Sequence, residues 1–92
     1  MITRRSSVEI LGEIMRLGSA GKTEIMYSVN MSHAQLTRYL EFLTDRGLLE
    51  RVVGKARIPL YVTTEKGKAL LPHIQALVEV LGQEERNAGI LL

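Results

Sequence analysis

Five polar side chains lie close together between residues 32 and 38, at the start of one predicted helix. They are Ser32, His33, Gln35, Thr37 and Arg38. Their hydroxyl, imidazole and amide groups donate and accept hydrogen bonds, and the guanidinium adds a permanent positive charge. Apart from capping the helix, none of these groups is needed for folding. We therefore expect them to recognise an outside partner through hydrogen bonds and charge.

The helix that presents these side chains has a clear start, a clear end and one apolar side. Ser32 is the expected N-cap, and Gln35 completes a Ser-x-x-Gln capping box. Gly47 is expected to end the helix. At about 100° per residue, one face of the helix is apolar; it consists of Leu36, Leu40 and Leu43. Arg38 points the opposite way, as do Glu41 and Asp45.

Two shorter helices precede this one, and a hairpin with a basic tip follows it. "SSVEILGEIMRLGSAG" is predicted to be a helix capped by Ser6 and stopped at Gly18, and "KTEIMYSVN" a second one capped by Thr23. After Gly47, "LLERVV" and "LYVT" have the length and composition of strands, with Lys55 and Arg57 at the turn between them. The expected fold class is mainly α with a small β-hairpin (α+β): a winged helix-turn-helix with an extended C-terminal helix.

The last predicted helix, "TTEKGKALLPHIQALVEVLG", has more apolar surface than one small core requires. Leu70 and Leu71 are expected to pack on the domain itself, and Pro72 to kink the helix. Later apolar residues follow coiled-coil spacing and predict a homodimer; the expected dimerisation residues are Ile74, Leu77, Val78 and Leu81. We thus divide the chain into a winged helix-turn-helix domain, residues 1–64, and a C-terminal dimerisation helix with its tail, residues 65–92.

Composition limits the possible functions. The chain has 92 residues and a net charge of +2. It has no cysteine, which excludes disulfides and thiolate metal sites. Residues 51–68 hold five basic side chains against the single acid Glu65. Such a local basic excess favours a polyanionic partner on that part of the surface. No apolar run approaches the roughly 18 residues of a membrane span, so we expect a cytoplasmic protein without a membrane partner.

Two stretches resemble a known family, the small archaeal winged helix-turn-helix DNA-binding proteins. They are "KTEIMYSVNMSHAQLTRYLEFLTDRGLLE" and "YVTTEKGKALL", which together cover less than half of the chain. The family includes a crenarchaeal chromatin protein that dimerises through its C-terminal helix. The resemblance implies double-stranded DNA as the partner, a homodimer, and a place on the nucleoid. Pro72 and Gly82 depart from the long antiparallel coiled coil of that protein, so a shortened, bent or replaced coil is left open.

The physical reasoning points to DNA as well. A major groove about 12 Å wide admits one helix, whose N-terminal turns reach the base edges. The predicted DNA contacts are Ser32, His33, Gln35, Thr37 and Arg38 in the major groove, with Lys55 and Arg57 of the wing (residues 54–59) on the backbone or minor groove. Each has a plainer explanation: helix capping for Ser32 and Gln35, an ordinary surface position for His33, Thr37, Lys55 and Arg57, and an ion pair with Glu41 or Asp45 for Arg38.

Other classes of function fit the sequence less well. Two histidines on different predicted helices form no metal site, and the glycines have no phosphate-loop spacing. We therefore expect neither an enzyme nor a cofactor. The prediction is a transcriptional regulator or chromatin protein that binds double-stranded DNA. The alternative is a winged-helix module that binds another protein without contacting DNA, which the modest net charge and the exposed Glu41 and Asp45 favour.

Overall fold

Within residues 6–88, the part that this computed structural model describes, the chain forms four helices and three strands. Side chains are described as far as residue 80. The elements are α1 (Ser7–Arg16), β1 (Ser19–Gly21), α2 (Lys22–Val29), α3 (His33–Asp45), β2 (Leu49–Val53), β3 (Pro59–Thr63) and α4 (Glu65–Ala88). The predicted fold class, a winged helix-turn-helix with a long last helix, is confirmed.

Serine caps fix the starts of α1 and α3. The Ser6 hydroxyl accepts a hydrogen bond from the Glu9 amide at 3.1 Å, and the Ser32 hydroxyl accepts one from the Gln35 amide at 3.3 Å. Such caps satisfy amide groups that have no partner inside the helix. After α3, Gly47 adopts a positive φ of 72°, which glycine reaches without a side-chain clash. The predicted bounds of α3 are therefore confirmed.

The first helix of the helix-turn-helix starts earlier in the chain than the sequence suggested. Helix α2 starts at Lys22 with Gly21 as its N-cap, so the prediction that Thr23 caps this helix was wrong. Gly21 is the last residue of β1, and its extended backbone leads directly into the helix. At the other end, Asn30 takes a left-handed φ of 52° and turns the chain toward α3. Asparagine tolerates this conformation better than most residues do.

The sheet contains one strand that the sequence did not reveal. Its order is β1-β3-β2, antiparallel throughout, and only the β2–β3 hairpin was predicted. Strand β1 is Ser-Ala-Gly, which has no apolar alternation and only three residues. It is recognisable as a strand because Ala20 pairs with Tyr61 of β3. The inner face of the sheet is tied to α1, since the buried Thr63 hydroxyl donates to the Met15 carbonyl at 2.7 Å.

One core joins the three N-terminal helices, the sheet and the first half of α4. Its most deeply buried side chains are Ile14, Met15, Ile25, Val29, Leu36 and Leu43. The α3 contribution is the predicted apolar face, with Leu40 between the other two leucines. This packing holds α3 by one side only and leaves its opposite side exposed.

Helix α4 packs along α1 and continues through Pro72 without interruption. Ile74 is only 8% exposed, and its Cγ2 atom lies 3.0 Å from the position that a Cβ on Gly12 would take. Val78 is half-buried and also packs against the core. We therefore revise the dimerisation prediction for Ile74 and Val78, because both side chains lie against the same chain. Leu81 lies outside the described side chains.

Candidate nucleic-acid interface

Helix α3 presents its polar start to solvent. Of the five predicted contact residues, Thr37 is half-buried and four are exposed: Ser32, His33, Gln35 and Arg38. The buried Leu36 and Leu40 anchor the same turns from the other side. The helix is thus rigidly held while its first two turns remain accessible along one face.

Arg38 has no hydrogen-bond or ion-pair partner among the described residues. The plainer explanation offered for it was an ion pair with Glu41 or Asp45, and the described part of the chain shows neither pair. All five N–H donors of its guanidinium are therefore available to a partner. A planar fork of this kind binds a phosphate or a guanine edge with two parallel hydrogen bonds.

Ser32 and Gln35 hold each other through their side chains. The Ser32 hydroxyl accepts from the Gln35 amide N–H of the backbone and donates to the Gln35 side-chain carbonyl, both at 3.3 Å. The bond from the Gln35 amide to the Ser32 hydroxyl is the serine-side hydrogen bond of the predicted capping box. The side-chain NH₂ group of Gln35 has no partner among the described residues, so a donor remains beside the helix start.

Thr37 is engaged inside the chain. Its hydroxyl donates to the His33 carbonyl at 2.9 Å and accepts from the Lys22 ammonium at 2.6 Å. A hydroxyl has one proton to donate, and here the His33 carbonyl takes it. The geometry therefore gives Thr37 a connecting role between α2 and α3, and it is the predicted contact with the least freedom to reach a base.

The wing carries Lys55 and Arg57 at an exposed turn. The Arg57 amide donates to the Gly54 carbonyl at 3.0 Å, which closes the turn, and Arg57 adopts a φ of 60°. A left-handed conformation at a residue with a Cβ costs about 1–3 kcal/mol. Two apolar neighbours, Val53 and Ile58, are 54% and 65% exposed. The wing tip thus combines two cations that have no ion-pair partner among the described residues with exposed apolar side chains.

A cleft that was not predicted connects the root of the wing with α3. It consists of a cavity of about 590 Å³ beside β3 and the start of α2, and one of about 220 Å³ beside α3. Both cavities are lined by Lys22, Arg51 and Tyr61, so they adjoin. We call this surface the Lys22–Arg51–Tyr61 cleft. In the sequence, the only signal was that Arg51 interrupts an apolar strand and Lys22 follows a glycine.

Acidic side chains limit where a polyanion could lie. Glu41 and Asp45 are exposed on the outer side of α3, beyond Arg38, and neither forms an ion pair with a described cation. Their charge would repel phosphate along the second half of the helix. A DNA backbone is therefore compatible with the first turns of α3 but not with its whole length.

The described residues include no group of three or more histidine, cysteine, aspartate or glutamate side chains that could hold a metal ion. Across the same residues, no helix has both the length and the apolar character needed to cross a membrane.

Comparison with known proteins identifies the family of this chain. A family model described as winged helix-turn-helix matches residues 4–82, and the chain belongs to that family. It is also similar to an uncharacterized protein of Methanocaldococcus jannaschii, with 30% identity over 84 residues that cover 88% of this chain and 81% of the relative.

Solved structures share the fold. Sso10a-2, a DNA-binding protein from Sulfolobus solfataricus, superposes with a TM-score of 0.82 at 25% identity, covering 92% of this chain and 90% of that one. The transcriptional regulator BldR from the same organism gives a TM-score of 0.74 at 18% identity, covering 82% and 58%. A mutant MarR from E. coli complexed with operator DNA gives 0.69 at 26% identity, covering 84% and 57%. The fold is thus that of archaeal and MarR-family regulators.

Proposed function

We propose that this protein binds double-stranded DNA as a homodimer and acts on the nucleoid as a transcriptional regulator or chromatin protein. The observation that supports this most directly is the exposed start of α3, where Arg38 has no partner among the described residues. A guanidinium with all its donors free, on a helix held rigidly from the other side, is well placed to bind a phosphate or a guanine edge. The likeness to Sso10a-2, a DNA-binding protein, and to a MarR complexed with operator DNA adds support.

The proposed arrangement places the first turns of α3 in the major groove. A helix about 10–12 Å across fits a major groove about 12 Å wide. Ser32, His33 and Gln35 then face base edges or phosphates at the helix start, and Arg38 lies one turn further in. The hairpin brings Lys55 and Arg57 to the adjacent backbone or minor groove. Thr37 supports the helix from α2 and is the weakest candidate for a base contact.

The homodimer is proposed on a different stripe of α4 from the predicted one. Three exposed apolar residues, Leu70, Leu77 and Val80, are 37%, 47% and 52% exposed. With the exposed His73 they are spaced three, four and three residues apart, which is coiled-coil spacing. Leu77 is retained from the prediction. The expectation that Leu70 packs on the domain was wrong, because its side chain is exposed, and Leu70 is therefore added to the stripe. A second copy docked on this stripe would cover side chains that the domain leaves uncovered.

The test is a fluorescence-anisotropy titration of duplex DNA over a series of salt concentrations. Arg38→Ala should weaken binding by about 1–3 kcal/mol if the arginine reads a base. Arg16→Ala is the matched control, because Arg16 is an exposed arginine on α1, away from the proposed interface. Absence of salt-sensitive duplex binding by the wild-type protein would refute the proposed function.

A protein-binding module remains the second candidate, and one feature favours it. The outer face of the sheet exposes Val52 and Leu60, at 39% and 40%, beside the exposed Glu50. Glu50 and Val52 do not line the Lys22–Arg51–Tyr61 cleft, whereas Leu60 borders it. If the wild-type protein fails to bind duplex DNA, variants Val52→Lys and Leu60→Lys become the test. They should abolish capture of a protein partner while leaving the fold intact.

A further inference from the structure

We propose that the Lys22–Arg51–Tyr61 cleft binds the phosphodiester backbone of the DNA strand that separates the major groove from the adjacent minor groove. The inference rests on the proposed function and assigns binding roles to residues outside the predicted interface. The ligand of this cleft is the backbone phosphate, and contacts to phosphate do not distinguish one base sequence from another.

The position of the cleft follows from the two elements that border it. Helix α3 forms one wall through Thr37 and Glu41, and the wing root forms the other through Ile58 and Leu60. Neighbouring grooves of a duplex are separated by one sugar–phosphate strand. If α3 enters the major groove and the wing the minor groove, that strand has to cross the surface between them, which is this cleft.

Lys22 provides the first cation. It is the first residue of α2. Its ammonium donates one hydrogen bond to the Thr37 hydroxyl at 2.6 Å, which leaves two N–H donors for a ligand. The bond fixes the end of a flexible side chain beside α3 before any ligand arrives. A fixed lysine loses less conformational entropy on binding phosphate than a freely moving one does.

Arg51 provides the second cation. It lies on β2 directly opposite Tyr61 of β3, on the side of the sheet that faces α3. Neither the Arg51 guanidinium nor the Tyr61 hydroxyl has a partner among the described residues. An arginine fork beside a phenol is a suitable set of donors for the oxygens of one phosphate.

Two carboxylates limit the cleft at its ends. Glu24 lines only the larger cavity and Glu41 only the smaller one, whereas Lys22 and Arg51 line both. The positive charge is therefore central, and the acids lie on opposite flanks. Such a distribution favours one or two phosphates at the centre and disfavours a longer contact, which agrees with the modest net charge of +2.

The experiment compares Lys22→Gln, Arg51→Gln and Thr37→Val with the wild-type protein on one duplex, over a salt series. Removing a cation that contacts a phosphate should make the fall of log affinity with log salt less steep, by about 0.9 per protomer. Thr37→Val removes the partner of Lys22 without changing charge, so its slope should equal that of the wild type. If Lys22 only braces α3, Lys22→Gln and Thr37→Val should weaken binding alike and keep the wild-type slope, which would overturn the proposal.

A second arm tests the DNA side. A set of duplexes is prepared in which one phosphate at a time is replaced by a neutral methylphosphonate. At one position in each half-site, the replacement should weaken binding of the wild-type protein but have no further effect on the Lys22→Gln/Arg51→Gln double variant. Equal sensitivity of both proteins at every position would overturn the cleft assignment alone. Failure of the wild-type protein to bind any duplex would refute the proposed function first. Thermal unfolding of each variant confirms that it is folded.

Discussion

Ile74 of α4 packs directly against Gly12 of α1, with its Cγ2 atom 3.0 Å from where a Cβ on Gly12 would lie. This contact shows which side of α4 belongs to the domain. The exposed stripe that contains Leu77 is a different side of the same helix turns. Folding and the proposed assembly would therefore depend on separate residues, although these are neighbours in the sequence.

We expect Ile74→Ala to lower the free energy of unfolding by about 2–5 kcal/mol, because it removes a buried side chain and leaves a cavity. The matched variant is Leu77→Ala, on a residue that is 47% exposed, which should change it by less than about 0.5 kcal/mol. Urea unfolding at low protein concentration, where assembly adds no stability, measures both. Equal losses for the two variants would contradict the division of α4 into two sides.

Leu77→Gln/Val80→Gln should convert the proposed homodimer to a monomer, because it places polar groups in the exposed apolar stripe. Lys68→Gln is the control, since residue 68 lies about 180° around the helix from residue 77. Sedimentation equilibrium measures the association constant. If the dimer survives the double variant but is lost in Lys68→Gln, the interface lies on the side of α4 that carries Lys68, and the proposed stripe is refuted.

Ser32→Ala and Ser6→Ala form a matched pair, since both serines cap a helix through the amide three residues on. Loss of either cap should cost about 0.5–2 kcal/mol of stability. Only Ser32→Ala should also weaken DNA binding beyond its effect on the folded fraction, because only Ser32 is at the proposed interface. Ser32→Asp should keep the cap but weaken DNA binding through its charge. Circular dichroism and anisotropy separate the two effects.

Arg57→Gly should change stability and DNA affinity in opposite directions. Arg57 has a φ of 60°, and glycine would relieve the strain of that conformation, which we expect to stabilise the hairpin by up to about 1 kcal/mol. The same change removes a cation from the wing and should lower the affinity for DNA. Lys55→Gly is the control without a left-handed backbone. A variant that is more stable and binds DNA as well as the wild type would remove Arg57 from the interface.

The parts of the fold that local chemistry determines were predictable. Ser32, Gln35 and Gly47 gave the bounds of α3, and its leucines showed which side is buried. Strand β1 was not predictable, because its three small residues become a strand only by pairing with β3. The wide apolar stripe of α4 left open which residues α1 would cover, and Ile74 was therefore assigned to the dimer.

The candidate site divides in the same way. Exposure of Arg38 follows from helical periodicity within one segment, so the sequence was sufficient. The Lys22–Arg51–Tyr61 cleft combines residues from α2, β2 and β3, and only the tertiary structure brings them together. The bond between Lys22 and Thr37 likewise joins residues that are distant in sequence, and it explains why Thr37 is less free than its place on α3 suggested.

The two sides of α4 have a consequence for how the protein would measure distance along DNA. If the turns around Leu77 pair with a second copy, as proposed, while Ile74 holds α4 to the domain, the described residues place no flexible segment between the proposed DNA-binding surface and the dimer contact. Half-sites would then have to match a fixed separation of about 34–36 Å, or one turn of 10–10.5 base pairs. Adding a single base pair between the half-sites should prevent the dimer from contacting both of them at once. Adding a full turn would return the half-sites to the same side of the duplex but leave them too far apart.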